Sequence, residues 1–141
     1  MVLAVYAIPK FVSFRQQTNN STVIELTAMV KAASSMVHAM AVAQGKAEDE
    51  QAKISLSNHN PKVRIRYGYA LPTEKGIVRA LEDDLDRNNF NLVFDASAGT
   101  VAFECKEAEN PAKCRVVYQY PEVFVDGPKE PVITHELEDC S

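Results

Sequence analysis

The sequence predicts an α+β domain in which one long N-terminal helix is followed by an antiparallel sheet of about four strands. Between Val23 and Gln44, apolar residues recur every three or four positions, which is typical of a helix with one apolar stripe. The predicted stripe comprises Leu26, Met29, Val30, Ala33, Met36, Val37, Met40 and Ala41. The second half of the chain holds short segments in which apolar and polar residues alternate, and Gly, Pro and polar residues separate these segments. This pattern is typical of β-strands joined by turns. The helical stripe would cover one face of the sheet.

The chain opens with an apolar segment, "MVLAVYAIPKFVSF", that carries a proline at position 9. Val2 to Ile8 is too short to cross a bilayer, which needs about 20 apolar residues, and the segment lacks the features of a signal peptide. It is either a short buried element of this domain or the end of a longer hydrophobic helix that Pro9 would kink.

The helix has a clear predicted end and two possible beginnings. The stretch "KAASSMVHAMAVAQ" favours helix, and Gly45 is placed to stop it. Thr22 and Glu25 have the spacing of a capping box and could begin a separate helix. A continuous helix from Val2 to Gln44 would be about 65 Å long and would protrude from the domain.

The strands and loops after the helix follow from local patterns. The polar stretch "KAEDEQAKISLSNHNPK" is predicted to be a connecting loop, "VRIRYGY" a half-buried strand, and the stretch after Pro72 a short helix. "NLVFDASAGTVAFEC" predicts a hairpin turning at 97–99, and "CRVVYQY" and "PVITHEL" two further strands. The predicted apolar faces comprise Val63, Ile65, Tyr67 and Tyr69; Ile77, Val78, Leu81 and Leu85; Leu92 and Phe94; Val101, Phe103 and Cys105; Cys114, Val116, Tyr118 and Tyr120.

Charge and motifs point away from catalysis and from nucleic acid. The 141 residues have a formal net charge of −4 and no run of more than two basic residues, which argues against nucleic acid or an anionic membrane as the main partner. The sequence has no P-loop, nucleophile elbow or dinucleotide motif, so neither an enzyme nor a cofactor is predicted.

One acidic stretch has a partial resemblance to a calcium-binding loop. In "DLDRNNFNLVFD", Asp84, Asp86, Asn88 and Asp95 occupy positions 1, 3, 5 and 12 of an EF-hand count. The loop glycine and the final Glu are absent, and apolar residues lie inside the stretch. A solvated helix end followed by a strand is favoured over a metal site.

The three cysteines allow two disulfide pairings. Cys105 and Cys114 could bridge neighbouring strands of a hairpin, or Cys114 and Cys140 could join the C-terminal end to the sheet. Either bond is expected to contribute about 2 to 4 kcal/mol, so energetics does not choose between them.

Several of these segments together resemble type IV pilins. "VLAVYAIPKFVSF" resembles the middle of their N-terminal helix. "ASSMVHAMAVAQG", "YGYALPTEKGIVRAL", "CRVVYQY" and the terminal "PVITHELEDC" resemble the mannose-sensitive haemagglutinin (MSHA) branch. The resemblance covers nearly the whole chain, and its combination of motifs is more specific than any one of them.

The resemblance implies a type IV pilin fold and a non-enzymatic subunit of an extracellular pilus that mediates surface attachment. Its partners would be other copies, the pilus assembly machinery and, before assembly, the inner membrane. Residues 1–44 would be the remaining part of the N-terminal helix, and residues 45–141 would form the loop region and the β-sheet head. The membrane-spanning half of the helix would be missing, with Met1 in its place. Cys114 and Cys140 would form the disulfide, with Cys105–Cys114 as the open alternative. The implied filament interface comprises Val2, Leu3, Val5, Tyr6, Ile8, Pro9, Phe11 and Phe14.

Two other functions are consistent with parts of the sequence. A type II secretion pseudopilin would share the fold and typically carries calcium in place of the C-terminal disulfide. A soluble periplasmic binding module would instead bury its first twenty residues in its own core. The pilin interpretation predicts that Val2, Val5, Phe11 and Phe14 are exposed in a monomer or covered by a neighbouring copy.

Overall fold

A computed structural model describes residues 14–56, 62–82, 85–121 and 130–141, and it confirms the predicted α+β class. In this part of the chain, one long helix precedes two antiparallel sheets, of three and four strands. The helix is α1 (Phe14–Ala43). The small sheet has the order β1 (Ala52–Ile54), β2 (Val63–Arg66) and β3 (Tyr69–Ala70). The large sheet has the order β4 (Phe90–Asp95), β5 (Thr100–Cys105), β6 (Cys114–Gln119) and β7 (Val132–Leu137).

The helix α1 is continuous through Thr22, where a separate start was one of two possibilities. Its 30 residues make it about 45 Å long. The Thr22 hydroxyl donates to the Thr18 carbonyl, one turn earlier, at 2.8 Å. Thr22 therefore lies inside the helix, and of the two possible beginnings the capping box at Thr22 is excluded.

The predicted helix stop at Gly45 is confirmed. Gly45 has a φ of +71°, which a residue without a side chain adopts at little cost. The Lys46 amide donates to the Ala41 carbonyl at 2.8 Å, and the Gly45 amide donates to the Val42 carbonyl at 3.1 Å. These two bonds form a Schellman motif, which satisfies carbonyls at the end of the helix.

One side of α1 packs on both sheets. It contacts β6 and β7 of the large sheet and β1 and β3 of the small sheet. The predicted stripe is correct at its centre but too wide, because Met36 is 55% exposed. The buried side of α1 consists of Asn19, Val23, Leu26, Thr27, Val30, Ser34, Val37 and Ala41.

The small sheet differs from the predicted loop and single strand. The stretch predicted as a loop contains β1, which pairs with β2 and places Ile54 opposite Val63. The predicted strand over 63–69 is interrupted at Tyr67 (φ 50°) and Gly68 (φ 86°). Two successive residues with positive φ close a tight hairpin turn, so the chain reverses into β3.

The short helix predicted after Pro72 forms at Glu74–Val78, with Gly76 departing from helical geometry. Ile77, Val78 and Leu81 are buried, as predicted for this apolar face. Gly76 is required by space, since an added Cβ would lie 2.1 Å from the Leu71 carbonyl oxygen.

The large sheet matches the predicted strands, but the predicted apolar face of β4 is wrong at Phe94, which is 44% exposed. In the hairpin β4–β5, Leu92 lies opposite Phe103 and Asp95 lies opposite Thr100. The strand β6 lies between β5 and β7, and both pairings are antiparallel. Phe103 and Tyr118 are fully buried, so the inner face of this sheet supplies much of the core.

Candidate assembly surface

The helix α1 has a second apolar face that points away from both sheets. Ile24, Met36 and Val42 on this face are 49%, 55% and 57% exposed. Alanine and serine residues lie between them and are also exposed. Two charged residues, Glu25 and Lys31, lie on the same side and are exposed as well. We call this surface the outer helix face; it consists of Ile24, Glu25, Ala28, Lys31, Ala32, Ser35, Met36, Ala39 and Val42.

The composition of the outer helix face differs from that of an ordinary solvent-facing helix side. It extends over about 27 Å, from Ile24 to Val42. Between Gln17 and Ala43 the only Asp, Glu, Lys or Arg residues are Glu25 and Lys31. This stretch is long and apolar enough to cross a membrane, although one side packs on the sheets. A solvent-facing side normally carries mostly polar residues, whereas only two residues of the outer helix face are charged.

Most of the predicted filament interface lies before the described residues. This applies to every predicted position from Val2 to Phe11. Phe14 is the first residue of α1, and its side chain is outside the described part. The outer helix face was not among the predicted site residues. The sequence does contain an indication of this face, because the predicted helix is rich in small and apolar residues and carries few charged residues on any side.

The disulfide joins Cys114 and Cys140, with a Sγ–Sγ distance of 2.05 Å, and Cys105 is a buried free thiol. This is the pair that the pilin resemblance implies. The alternative pair is adjacent in register, because Glu104 lies opposite Arg115 and the next positions are Cys105 and Cys114. Directly opposite Cβ atoms are about 4.5 to 5.5 Å apart, whereas a disulfide needs about 3.8 Å.

A buried hydrogen bond ties the disulfide to the helix. The Asn19 side-chain amide donates to the Cys140 carbonyl at 2.6 Å. The C-terminal residue is also held, because the Glu109 amide donates to the Ser141 carbonyl at 2.6 Å. Sequence reasoning missed Asn19, since a lone polar residue near a helix start gives no indication of a distant partner.

The described residues do not bring the candidate calcium ligands together. Asp84 lies outside the described residues. Asp86 accepts from the Asn88 amide at 2.9 Å, and the extended strand β4 lies between it and Asp95 in the chain. No group of three or more His, Cys, Asp or Glu residues that could hold a metal ion occurs in the described ranges.

Asp95 has a local structural role in the β4–β5 turn. Its carboxylate accepts hydrogen bonds from the Ser97 hydroxyl at 2.7 Å and from the Ala98 amide at 3.1 Å. These bonds, the one from the Ser97 hydroxyl first, hold the pKa of Asp95 below its usual range.

Two tyrosines and a histidine anchor the β2–β3 turn to the rest of the domain. The Tyr118 hydroxyl donates to the Ala70 carbonyl at 2.6 Å, and the Tyr120 hydroxyl donates to the Arg66 carbonyl. The His38 Nδ1 lies 3.0 Å from the Gly68 carbonyl oxygen. The small sheet is therefore joined to α1 and to the large sheet through side-chain bonds to its backbone.

Burial gives these tyrosines an effect on stability at alkaline pH. It raises the pKa of Tyr118, and it raises the pKa of Tyr120 from 10.0 to about 12. An unfolded tyrosine ionises near pH 10. Their contribution is thus fully present below pH 10 and is lost as pH rises through the folded pKa values.

We expect the free energy of unfolding to fall between about pH 10 and pH 12 as these hydroxyls ionise. Urea unfolding at a series of pH values measures this fall, and tyrosinate absorbance reports the ionisation. The double variant Tyr118→Phe/Tyr120→Phe should show a shallower fall over the same range. An identical pH dependence in the variant would contradict the assignment.

Comparison with known proteins gives no relative, because no protein-family model, curated protein or solved structure matches the chain. The structure itself has an apolar N-terminal helix packed on antiparallel sheets and a disulfide near the C-terminus. This combination is compatible with a pilin-like fold.

Proposed function

We propose that the chain is a structural, non-enzymatic subunit of a type IV pilus of the MSHA branch, which assembles through its N-terminal helix and mediates surface attachment. The observation that carries the proposal is the outer helix face. It is largely apolar, with Glu25 and Lys31 as its charged residues, about 27 Å long, and turned away from the chain's own sheets. A second copy of α1 is the partner that such a face fits.

The two sides of α1 suggest how copies would be arranged. One side is already occupied by the sheets, so only the outer helix face is available to a neighbouring helix. Ile24, Ala28 and Ala32 are spaced four residues apart, which forms a ridge of the kind that packs into the groove of another helix. The small alanines permit close approach. Helices would then lie inside the filament and sheets outside.

The remaining parts of the proposal rest on the resemblance. The resemblance assigns Val2 to Phe11 to the filament interface, and the inner membrane would hold the subunit before assembly. The disulfide-bounded end, which includes Cys114 and Cys140, would lie on the exterior. The MSHA branch is favoured by the motifs "YGYALPTEKGIVRAL" and "CRVVYQY".

Cysteine cross-linking of assembled subunits tests the proposal. The native gene carrying Ala28→Cys is expressed in its own bacterium, and filaments are sheared from the cells and oxidised. We expect disulfide-linked dimers in the sheared fraction, because Ala28 lies on the outer helix face. Ala98→Cys is the matched control, since Ala98 is also exposed but lies in the β4–β5 turn.

The outcomes separate the possible functions. Dimers with Ala28→Cys and few with Ala98→Cys would support helix-mediated assembly. Equal cross-linking of the two variants would contradict it. Absence of the protein from sheared filaments, together with a secretion defect on deletion of the gene, would indicate a pseudopilin instead.

A further inference from the structure

The outward face of the small sheet forms an open groove of about 780 Å³ that is strongly basic. It continues into a smaller recess that shares Lys53, Lys62 and Arg64. Among the described residues, the lining includes seven basic residues and one acid, Glu50, although the whole chain carries more acidic than basic residues. We call this surface the basic groove; its cations are Lys46, Lys53, Lys62, Arg64, Arg66, Lys75 and Arg79.

The strand pattern concentrates cations at the centre of the basic groove. Val63 and Ile65 are buried, so the alternation of β2 turns Lys62, Arg64 and Arg66 to the opposite side at steps of about 6.6 Å. Lys53 of β1 lies directly opposite Arg64. Like charges at directly opposed positions destabilise a sheet, and a bound anion would relieve that repulsion.

The contacts of the basic groove leave its central cations available. The Lys46 ammonium donates to the Lys53 carbonyl at 2.8 Å, and Arg66 lies 3.7 Å from Glu50. Within the described part of the chain, none of the recorded ion pairs involves Lys53, Lys62, Arg64 or Lys75. These four side chains are exposed.

The shape and lining of the basic groove define the chemistry of its ligand. Its described apolar lining is Ala52, Ile65 and Leu71, and no aromatic ring is among the described lining residues. Bases of single-stranded nucleic acid bind by stacking on aromatic rings, so this lining disfavours them. Cations that recur at steps of about 6.6 Å along β2 suit anionic groups that repeat along one extended chain. Arginine forms paired hydrogen bonds with planar carboxylates, and Lys and Arg attract any anion along a chain.

We propose that the basic groove binds a linear acidic polysaccharide through its carboxylate or sulfate groups. The polymer crosses the face of β1 and β2, with anionic groups at Lys53, Arg64 and Lys62. Binding of this kind is mainly electrostatic and weakens as salt is added. The proposal concerns the head of a single copy and is independent of filament assembly.

Binding to purified protein tests the proposal with oligogalacturonate as the carboxylated probe and a heparin oligosaccharide as the sulfated probe. The variant Lys53→Gln/Arg64→Gln should weaken binding roughly tenfold or more, since two charge-assisted contacts are lost. The control Lys106→Gln/Lys113→Gln makes the same change in net charge at exposed positions outside the groove and outside the helix, and it should change affinity less than about twofold. All four replaced residues are exposed.

Three results would overturn the proposal. Equal weakening by the two double variants would show a non-specific response to net charge. Oligothymidylate or polyglutamate bound as tightly as the sugars, with the same dependence on Lys53 and Arg64, would assign a different class of ligand. Self-association that is lost only in Lys53→Gln/Arg64→Gln, without sugar binding, would make the groove a contact between copies. Preferential binding of either acidic sugar, lost in that variant alone, supports the proposal.

Discussion

Replacing Cys114 and Cys140 together by alanine should lower the free energy of unfolding by about 3.5 kcal/mol. The bond closes a loop with a sequence separation of 26, and the chain-entropy relation gives this value for a loop of that length. Both cysteines are fully buried, so the loss exceeds that of a surface cross-link with no packing role. Equilibrium unfolding in urea measures the change.

Cys105→Ala is the matched control for this prediction. Cys105 is also buried but unpaired, so its replacement removes one sulfur without opening a covalent loop. A loss of about 1 kcal/mol is expected, in the lower range for trimming a buried side chain. Equal losses in the control and in the double variant would contradict the assigned role of the disulfide.

Phe103→Ala should lower the free energy of unfolding by about 3 to 5 kcal/mol. Phe103 is fully buried in β5, between Leu92 of β4 and Val116 of β6. Removal of its ring loses apolar burial and leaves a cavity that strands bonded on both sides cannot easily close. Urea unfolding again provides the measurement.

Phe94→Ala tests whether this effect depends on burial. Phe94 lies on the neighbouring strand β4 and is 44% exposed, so the same substitution removes less buried surface and leaves no enclosed cavity. We expect a loss of about 1 kcal/mol or less. If the two substitutions were equally destabilising, the large sheet would not have the core described above.

The strands predicted correctly are those in which apolar and polar side chains alternate over a long enough stretch. The strand β6 places Cys114, Val116 and Tyr118 on its buried face, as period-two alternation requires. The strand β1 was missed because three residues are too few to show a period. The β2–β3 turn was missed because Tyr67, a bulky residue, adopts a positive φ that its type seldom adopts.

The candidate surfaces were harder to predict because they depend on which elements lie side by side. The outer helix face is defined only once the sheets are known to cover the other side of α1. The basic groove depends on Lys53 pairing across from Arg64, which requires β1. The net charge of −4 concealed this local concentration of cations, because net charge does not report where charges lie.

The junction of Asn19 with Cys140 has a mechanical consequence. It fastens the helix to the end of the loop that the disulfide closes, so tension applied along α1 reaches the chain beside a covalent cross-link. The residues enclosed between Cys114 and Cys140 cannot be drawn out while that bond is intact. About 90 Å of extended chain is thereby withheld from stretching. The chain under load would yield elsewhere first, and the strands β6 and β7 would be the last to lengthen.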